Sequence, residues 1–270
     1  MNKYLRLFRF GNGIMGIIGV LVGAFIAVGL DIADHYVNLA ISCIVVLSFM
    51  AGGNSLNDYI DIEIDRVGHP DRPLPRGEIR PRTALILGIG GMVLAGTLSI
   101  FMGSVLVTCV VFIAAGLMIF YELFLKQRGF AGNMMIAVLT GMIFLFGGAV
   151  VNNIEANFIV AIMAILVSIG REIAKDIEDM GSDEGRSTLP MKIGIRNASM
   201  LGATFFIIGP ILSVWPLIDQ SFGWLYCIVV IADAIFIYTA FIIFRNARKA
   251  QKFAKIAMFI ALIAFILGVL

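Results

Sequence analysis

The sequence is poor in charged residues, cysteine, histidine and proline. Only 14% of its 270 residues are Asp, Glu, Lys or Arg, whereas about a quarter is usual in a soluble domain. This composition excludes an ordinary water-soluble protein. The three cysteines, Cys43, Cys109 and Cys227, each lie within an apolar run, which excludes a disulfide scaffold. What the chain has instead is 60% apolar residues and a mean hydropathy of +0.99, which are typical of a membrane protein.

Nine apolar stretches are long enough to cross a bilayer, which requires about 20 helical residues each. They cover residues 11–30, 38–57, 83–101, 104–122, 133–151, 157–175, 199–218, 222–244 and 253–270. The first stretch is not followed by a small-residue cleavage motif, so we expect it to be retained as a helix. The sequence therefore predicts an all-α, multi-pass membrane protein with nine transmembrane helices, forming a single domain over residues 1–270.

The basic residues predict the orientation of these helices. All 20 Lys and Arg residues fall in the N-terminal segment and in the even-numbered connections, and the odd-numbered connections contain none. Because cytoplasmic loops retain Lys and Arg, the N-terminus is predicted to be cytosolic and the C-terminus external. The two long polar connections, residues 58–82 and 181–198, are predicted to be irregular cytosolic loops. Any active site is then expected on the cytosolic side of the cell membrane.

The acidic residues are concentrated at two equivalent places. At the end of the second predicted helix, Asn54, Asp58, Asp61 and Asp65 have the i, i+4, i+7, i+11 spacing of one helical face, while Glu63 points away. At the end of the sixth, the same spacing recurs in Glu172, Asp176, Asp179 and Asp183, with Glu178 pointing away. Because these two helices run in the same direction, four helices apart, we expect two four-helix pseudo-repeats followed by a ninth helix.

These clusters favour a cation site over simple solvated helix ends. Carboxylates are unfavourable at helix C-termini, and like charges three or four residues apart repel each other. Oxygen ligands without His or Cys suit Mg²⁺, which commonly keeps coordination positions for phosphate oxygens. The pattern predicts Mg²⁺ and a diphosphate held between the clusters. A secondary transporter, the main alternative, would place charges near the midplane, where only Asp233 lies; a structural role for Asp233 is the favoured interpretation.

At these residues the sequence resembles the UbiA-type intramembrane prenyltransferases. The first family motif, N-D-x-x-D-x-x-x-D, matches residues 57–65, and the second, D-x-x-D-x-x-x-D, matches residues 176–183. The resemblance implies transfer of an isoprenoid group from an allylic diphosphate to an acceptor, with Mg²⁺ as cofactor. It implies metal binding by one set of residues: Asn57, Asp58, Asp61, Asp65, Asp176, Asp179 and Asp183. Asp58, Asp61, Asp176 and Asp179, with Lys175, are expected to be catalytic.

Further polar residues are candidates for binding the two substrates. Around the diphosphate these are Asn54, Asn57, Arg66, Tyr121, Lys126, Arg128, Asn133 and Arg171. Arg72 and Arg76 lie in the Pro-rich connection, where a rigid loop could present them to a second phosphate carried by the acceptor. Alternatively, the basic residues serve only to orient the helices by the positive-inside rule. The alternative role for Asn133 is to cap a helix.

Within the superfamily, residues 57–65, 71–77, 171–179 and 188–190 are most similar to the archaeal digeranylgeranylglyceryl phosphate synthases. That resemblance implies geranylgeranyl transfer to the hydroxyl of geranylgeranylglyceryl phosphate, which forms an ether bond of archaeal membrane lipids. Arg171 stands where many relatives have Tyr, which favours a phosphate-bearing acceptor over the alternative, an aromatic acceptor of quinone biosynthesis. The expected partners are an isoprenoid diphosphate, a lipid phosphate and the bilayer, with no nucleic acid and no obligatory protein partner.

Overall fold

A computed structural model describes residues 2–126, 128–180 and 188–270. Within these ranges the chain is helical and contains no β-strand. The first half comprises α1 (Lys3–Leu7), α2 (Phe10–Val28), α3 (Tyr36–Ile60), α4 (Ile62–Gly68), α5 (Pro81–Phe101) and α6 (Val105–Phe120). The second half comprises α7 (Phe130–Val150), α8 (Phe158–Asp179), α9 (Leu189–Ile193), α10 (Ile195–Ser213), α11 (Trp215–Ile218), α12 (Val229–Ile242) and α13 (Ala247–Val269).

The prediction of an all-α, multi-pass membrane protein is confirmed. Within the described ranges, eight stretches are long and apolar enough to cross a membrane. The first of them, Phe10–Ile60, contains α2 and α3 joined by a 3₁₀ segment, Gly29–His35. Large apolar side chains remain exposed on the outside of the bundle, including Phe101 and Trp224 at 80% and 81% exposure. Such a surface is suited to lipid rather than to water.

The helices pack consecutively within each half of the chain. In the first half α2 contacts α3, α3 contacts α5 and α5 contacts α6. In the second half α7 contacts α8, α8 contacts α10 and α10 contacts α12. Helix α2 joins the halves by packing along α7, and α13 packs against α12, α8 and α2. This arrangement brings the ends of α3 and α8, which carry the two acidic motifs, to one end of the bundle, called here the motif end.

The prediction of irregular connections is wrong for the first part of residues 58–82 and for the described part of residues 181–198, which forms α9 and the start of α10. Helix α3 continues to Ile60, and α4 resumes at Ile62 with only a local change of direction at Asp61. The amide of Asp61 donates to the Asn57 carbonyl and the amide of Asp65 donates to the Asp61 carbonyl, at 2.9 and 2.8 Å. The i, i+4 bonding pattern therefore runs through the junction and keeps the aspartates on one face. Residues 181–187 of the other predicted loop lie outside the described residues.

Helix α3 is positioned by close glycine contacts with α5. A Cβ atom added at Gly91 would lie 2.7 Å from the carbonyl oxygen of Ser48 and 2.8 Å from the Cα of Gly52. Both atoms belong to the backbone and cannot move aside alone. Small residues let membrane helices approach in this way, and the approach gains packing where no hydrophobic driving force exists. The first acidic motif is thus carried on a helix whose separation from α5 is fixed.

We predict that Gly91→Ala separates α3 from α5 and destabilises the protein, by about 1–3 kcal/mol as for other overpacked sites. The control is Gly90→Ala, because a Cβ at Gly90 meets nothing within 4 Å. That change should be neutral or stabilising by up to about 1 kcal/mol, since Ala favours the helix. Thermal unfolding of both variants in detergent checks this, and equal melting temperatures would contradict it.

Candidate active site

The first acidic motif is buried rather than solvated. Asp58, Asp61 and Asp65 are 2%, 3% and 0% exposed, whereas the side chain of Glu63 is 73% exposed and pairs with Arg66 at 2.9 Å. This confirms the predicted helical face, from which Glu63 points away. Burying three carboxylates is costly unless cations and hydrogen bonds compensate them.

Two guanidinium groups supply part of this compensation. The Arg9 Nη2 atom lies 2.7 Å from Asp58 Oδ1 and also donates to the Asn57 side chain at 3.2 Å. Arg72 lies 2.5 Å from Asp65 Oδ2 and 3.6 Å from Asp58 Oδ1. Arg72 was predicted as a substrate-binding residue, but Arg9 was not. Arg9 has left-handed backbone angles, φ 47° and ψ 55°, which are uncommon for a residue other than glycine and are typical of functional sites.

The third cation, Lys126, is presented by a π-helical segment, Tyr121–Leu125, at the end of α6. Its ammonium lies 2.7 Å from Asp61 Oδ2 and 2.6 Å from Glu122 Oε2. Glu122 also accepts a hydrogen bond from the Asn57 amide at 2.8 Å. Short π-helical segments commonly occur at functional sites. Glu122, which is buried, was missed by the sequence analysis because no motif includes it.

The second acidic motif lies along α8. The Asn133 side chain, from the first turn of α7, donates to Asp176 Oδ2 at 2.9 Å, which is a contact with the motif and not a helix cap. Arg171 pairs with the buried Glu172, while Asp179 lies at the end of α8. Asp183, the last predicted ligand, lies outside the described residues. On the far face Glu178 contacts Gln251 at 3.2 Å and Arg248 at 3.6 Å, as expected for a residue pointing away.

A cavity of about 1000 Å³ lies between the two motif helices. At the motif end its wall is polar and is formed by Arg9, Asn54, Asn57, Asp61, Arg72, Tyr121, Glu122, Lys126, Arg171, Glu172 and Lys175. Further in, the wall is almost entirely apolar, with Met50, Phe49, Phe146 and Phe265 among its members. An amphiphile with an anionic head and a long hydrocarbon chain matches this distribution of polarity.

A second cavity, of about 600 Å³, adjoins the first between the N-terminal segment and the Pro-rich connection. It is lined by Arg6, Arg9, Asn12, Asp58, His69, Asp71 and Arg72, together with small and apolar residues. Arg9 and Arg72 line both cavities. Arg6 is engaged by Glu78 at 3.1 Å and by the Asp71 carbonyl. Arg9 and Arg72 are paired with Asp58 and Asp65 but line both cavities, so together with His69 they are the groups best placed to receive an anion.

Four of the predicted substrate-binding residues do not line these cavities: Asn133, which instead bonds Asp176, and three arginines. Arg66 pairs with Glu63 on the exposed side of α4, and Arg76 pairs with Glu78 at 3.3 Å with half of its side chain exposed. Arg128 is exposed beyond the π-helical segment. The sequence placed all three near the motifs, but their positions along the helix and loop direct them outward. The predicted Asn54 lies at the cavity wall and donates to the Phe8 carbonyl at 2.9 Å.

The carboxylates do not form a compact metal cage. Within the described part of the chain no three His, Cys, Asp or Glu side chains converge closely enough to do so. The donor set nevertheless fits Mg²⁺, because it consists of oxygens and Mg²⁺ often uses only one or two carboxylates with substrate phosphates. Asp65 Oδ1 is buried without a hydrogen-bond partner among the described residues, so one motif oxygen has unused bonding capacity.

Comparison with known proteins decides the family. The UbiA prenyltransferase family matches residues 16–263, which include both acidic motifs and most residues of the main cavity. The chain belongs to this family. The resemblance inferred from residues 57–65 and 176–183 is therefore confirmed, and the protein is a membrane prenyltransferase.

Members of the UbiA family with known names or structures cover essentially the full chain. Digeranylgeranylglyceryl phosphate synthase of Methanosphaera stadtmanae is 37% identical over 100% of both chains. A solved structure described as digeranylgeranylglyceryl phosphate synthase has a TM-score of 0.84 at 35% identity, covering 99% of this chain and 97% of that one. A UbiA homolog from Archaeoglobus fulgidus, solved with DMAPP and Mg²⁺, shares the fold with a TM-score of 0.68 at 16% identity and full coverage of both chains.

We predict that the motif aspartates are essential for prenyl transfer by this UbiA-family protein. Asp61→Ala and Asp176→Ala should each lower kcat by about 100-fold or more, as loss of a group that stabilises transition-state charge does. Glu63→Ala and Glu178→Ala, one on the outer face of each motif, should leave kcat nearly unchanged because exposed ion pairs contribute little. Turnover of the four purified variants checks this, and equal losses at Glu63 and Asp61 would refute the assignment of faces.

Proposed function

We propose that this protein transfers the geranylgeranyl group of geranylgeranyl diphosphate to the free hydroxyl of geranylgeranylglyceryl phosphate. The product contains a new ether bond, as in archaeal membrane lipids. Two findings support the proposal: the full-length similarity to digeranylgeranylglyceryl phosphate synthases, and an apolar cavity whose polar end is lined by Asn57 and Asp61 of the first motif and by Lys175 beside the second. The second finding is the main support for the proposal. An isoprenoid diphosphate needs a polar site for its head and, directly beside it, an apolar site for its hydrocarbon chain.

We infer that Mg²⁺ is held by Asp58, Asp61 and Asp65 on one side and by Asp176 and Asp179 on the other. When bound, the metal would neutralise diphosphate charge and so make diphosphate a better leaving group. The fit rests on the oxygen-only donors and on the unpartnered Oδ1 of Asp65. Asn57 bonds Glu122 and Arg9 and is a further oxygen donor beside the first motif.

The chain's own residues would then act on the diphosphate and on the allylic carbon. Lys126, Lys175 and Arg171 line the polar part of the cavity, where cations stabilise the charge that accumulates on the leaving oxygen. The bond between the first prenyl carbon and that oxygen breaks, and its electron pair leaves with the diphosphate. The glycerol hydroxyl oxygen bonds to the same carbon, and its proton passes to a diphosphate oxygen. The apolar wall excludes the water that would otherwise capture the allylic cation.

The second cavity is the proposed site for the phosphate of the acceptor. Arg9 and Arg72 line both cavities, so a phosphate bound there is adjacent to the reacting centre without displacing the diphosphate. Guanidinium groups bind phosphate through paired, directional hydrogen bonds, which also orient the glycerol hydroxyl. Of the two Pro-loop arginines considered from the sequence, this arrangement assigns the role to Arg72 and not to Arg76.

We also propose that the chain crosses the membrane nine times, with its motif end in the cytosol. A continuous helix over the 51 residues of Phe10–Ile60 would be about 76 Å long, against a hydrocarbon layer of about 30 Å. The chain turns back at Gly29–His35 and packs α3 beside α2, so each is counted as a crossing. The same order of packing in both halves supports two four-helix pseudo-repeats followed by α13.

We predict that the purified protein converts geranylgeranyl diphosphate and geranylgeranylglyceryl phosphate to a diether phosphate in the presence of Mg²⁺. Hydroxybenzoate should be a much poorer acceptor, because it cannot use the phosphate site between Arg9 and Arg72. Product formation by mass spectrometry checks both reactions. Faster prenylation of hydroxybenzoate would replace this assignment with an aromatic acceptor.

Variants of the two Pro-loop arginines provide the matched control for this prediction. Arg72→Lys should raise the KM of the phosphate acceptor more than that of the prenyl diphosphate, since Lys cannot make paired hydrogen bonds. Arg76→Lys should change neither, because Arg76 faces Glu78 away from both cavities. A rise confined to the KM of the prenyl diphosphate would place Arg72 at the donor instead.

We predict that the motif end is accessible only from the cytosol. In a variant without the native cysteines, Val67→Cys should react with an impermeant maleimide in inside-out vesicles and not in intact cells. Val67 is 72% exposed on α4 beside the first motif. Ser221→Cys, an exposed position in the short connection before α12, should show the reverse pattern. Labelling of Val67→Cys from outside the cell would overturn the proposed orientation.

A further inference from the structure

Deep in the main cavity lies a polar group that the proposed chemistry does not use. Ser213, the last residue of α10, has its hydroxyl 2.7 Å from Asp233 Oδ2 on α12. The Tyr226 hydroxyl donates to the Ser213 carbonyl at 3.1 Å, so three helical segments meet at this point. Both Ser213 and Asp233 line the cavity.

This group lies deep in the bundle, away from the acidic motifs, and Asp233 is the central residue of the membrane span Trp224–Ile242. Helix α10 follows α8 and runs antiparallel to it, so its last residue is farthest from Asp176. Nineteen helical residues at 1.5 Å each make α10 about 28 Å long. Asp233 is the fifth residue of α12, close to the start of that helix. The carboxyl group is therefore too far from the motifs to take part in diphosphate departure.

The surroundings of Asp233 are otherwise apolar. Val229 and Phe236, one turn away on either side along α12, also line the cavity, as do Met163 and Phe265 from neighbouring helices. An acid within a membrane-spanning helix is costly and commonly marks a functional position. A structural link between α10 and α12 could be made by apolar packing alone. A purely structural link does not explain why the carboxyl group of Asp233 faces the cavity.

We propose that Asp233, hydrogen-bonded to Ser213, forms a polar floor that limits the length of the isoprenoid chain bound in the cavity. A hydrocarbon that ends above the carboxyl group leaves it hydrated or bonded to Ser213. A longer chain would press methyl groups against it and remove those partners, which is unfavourable for a buried polar group. This inference rests on the proposed function, in which the cavity holds the hydrocarbon of a prenyl diphosphate.

The test is a competition among farnesyl, geranylgeranyl and geranylfarnesyl diphosphate. Asp233→Leu keeps the branched shape of the side chain and removes its polarity, so it should raise kcat/KM for geranylfarnesyl relative to geranylgeranyl diphosphate by about tenfold. Asp233→Asn keeps a polar group and should retain the wild-type ratio. Ile231→Ala, on the exposed face of the same helix at 56% exposure, is the matched control and should also retain it.

If a folded Asp233→Leu protein had the wild-type ratio of kcat/KM for geranylfarnesyl to geranylgeranyl diphosphate, the proposal would be overturned. If Asp233→Leu does not fold, Asp233→Ala is judged by the same ratio, since it removes the carboxyl group without adding bulk. A merely structural role would lower stability and kcat/KM for all three donors alike, which also counts against a polar floor. Failure of the proposed function is distinguishable, because then the wild-type protein would not transfer the geranylgeranyl group to the lipid phosphate at all.

Discussion

The structure depends on the burial of three carboxylates at one end of a helical bundle. Asp58, Asp61 and Asp65 are almost fully enclosed, and charge in such surroundings is tolerated only beside opposite charge. The compensating cations come from three separate elements: the start of α2, the Pro-rich connection and the π-helical segment after α6. One electrostatic requirement therefore determines where segments that are distant in the chain must meet.

The meeting of these segments is accompanied by two departures from regular backbone structure. Arg9 adopts left-handed angles just before α2, and the end of α6 widens into a π-helical segment that places Glu122 and Lys126 beside Asp61. Both departures cost conformational free energy, and both occur where a side chain must reach a buried carboxylate. Each of these two departures thus brings a cation beside a buried carboxylate at the motif end.

Much of this arrangement follows from local sequence pattern, and the remainder does not. Helical spacing identified the buried face of the first acidic motif and separated Glu63 from Asp61, because periodicity is a property of one helix. Arg9 could not be found in this way, since its partner Asp58 is 49 residues away. The same limit applies to Glu122, which is 65 residues from Asn57. Conversely, Arg66 and Arg76 are near the first motif in sequence yet face away from it, because closeness along the chain does not fix direction.

The division of polarity in the main cavity connects the two ends of the molecule. Charged groups must stand at one end to hold phosphates, and an apolar wall must follow to exclude water from an allylic cation. An apolar wall does not by itself limit the length of the bound hydrocarbon, because hydrocarbon binds to it wherever space remains. A limit on length requires a bulky or a polar side chain in the cavity. Deep in this cavity the protein provides the carboxyl group of Asp233, bonded to Ser213. The lengths of the helices set the distance from the motif end to Asp233. The same bundle that separates the charged groups from the hydrocarbon therefore also sets the length of the prenyl chain that fits.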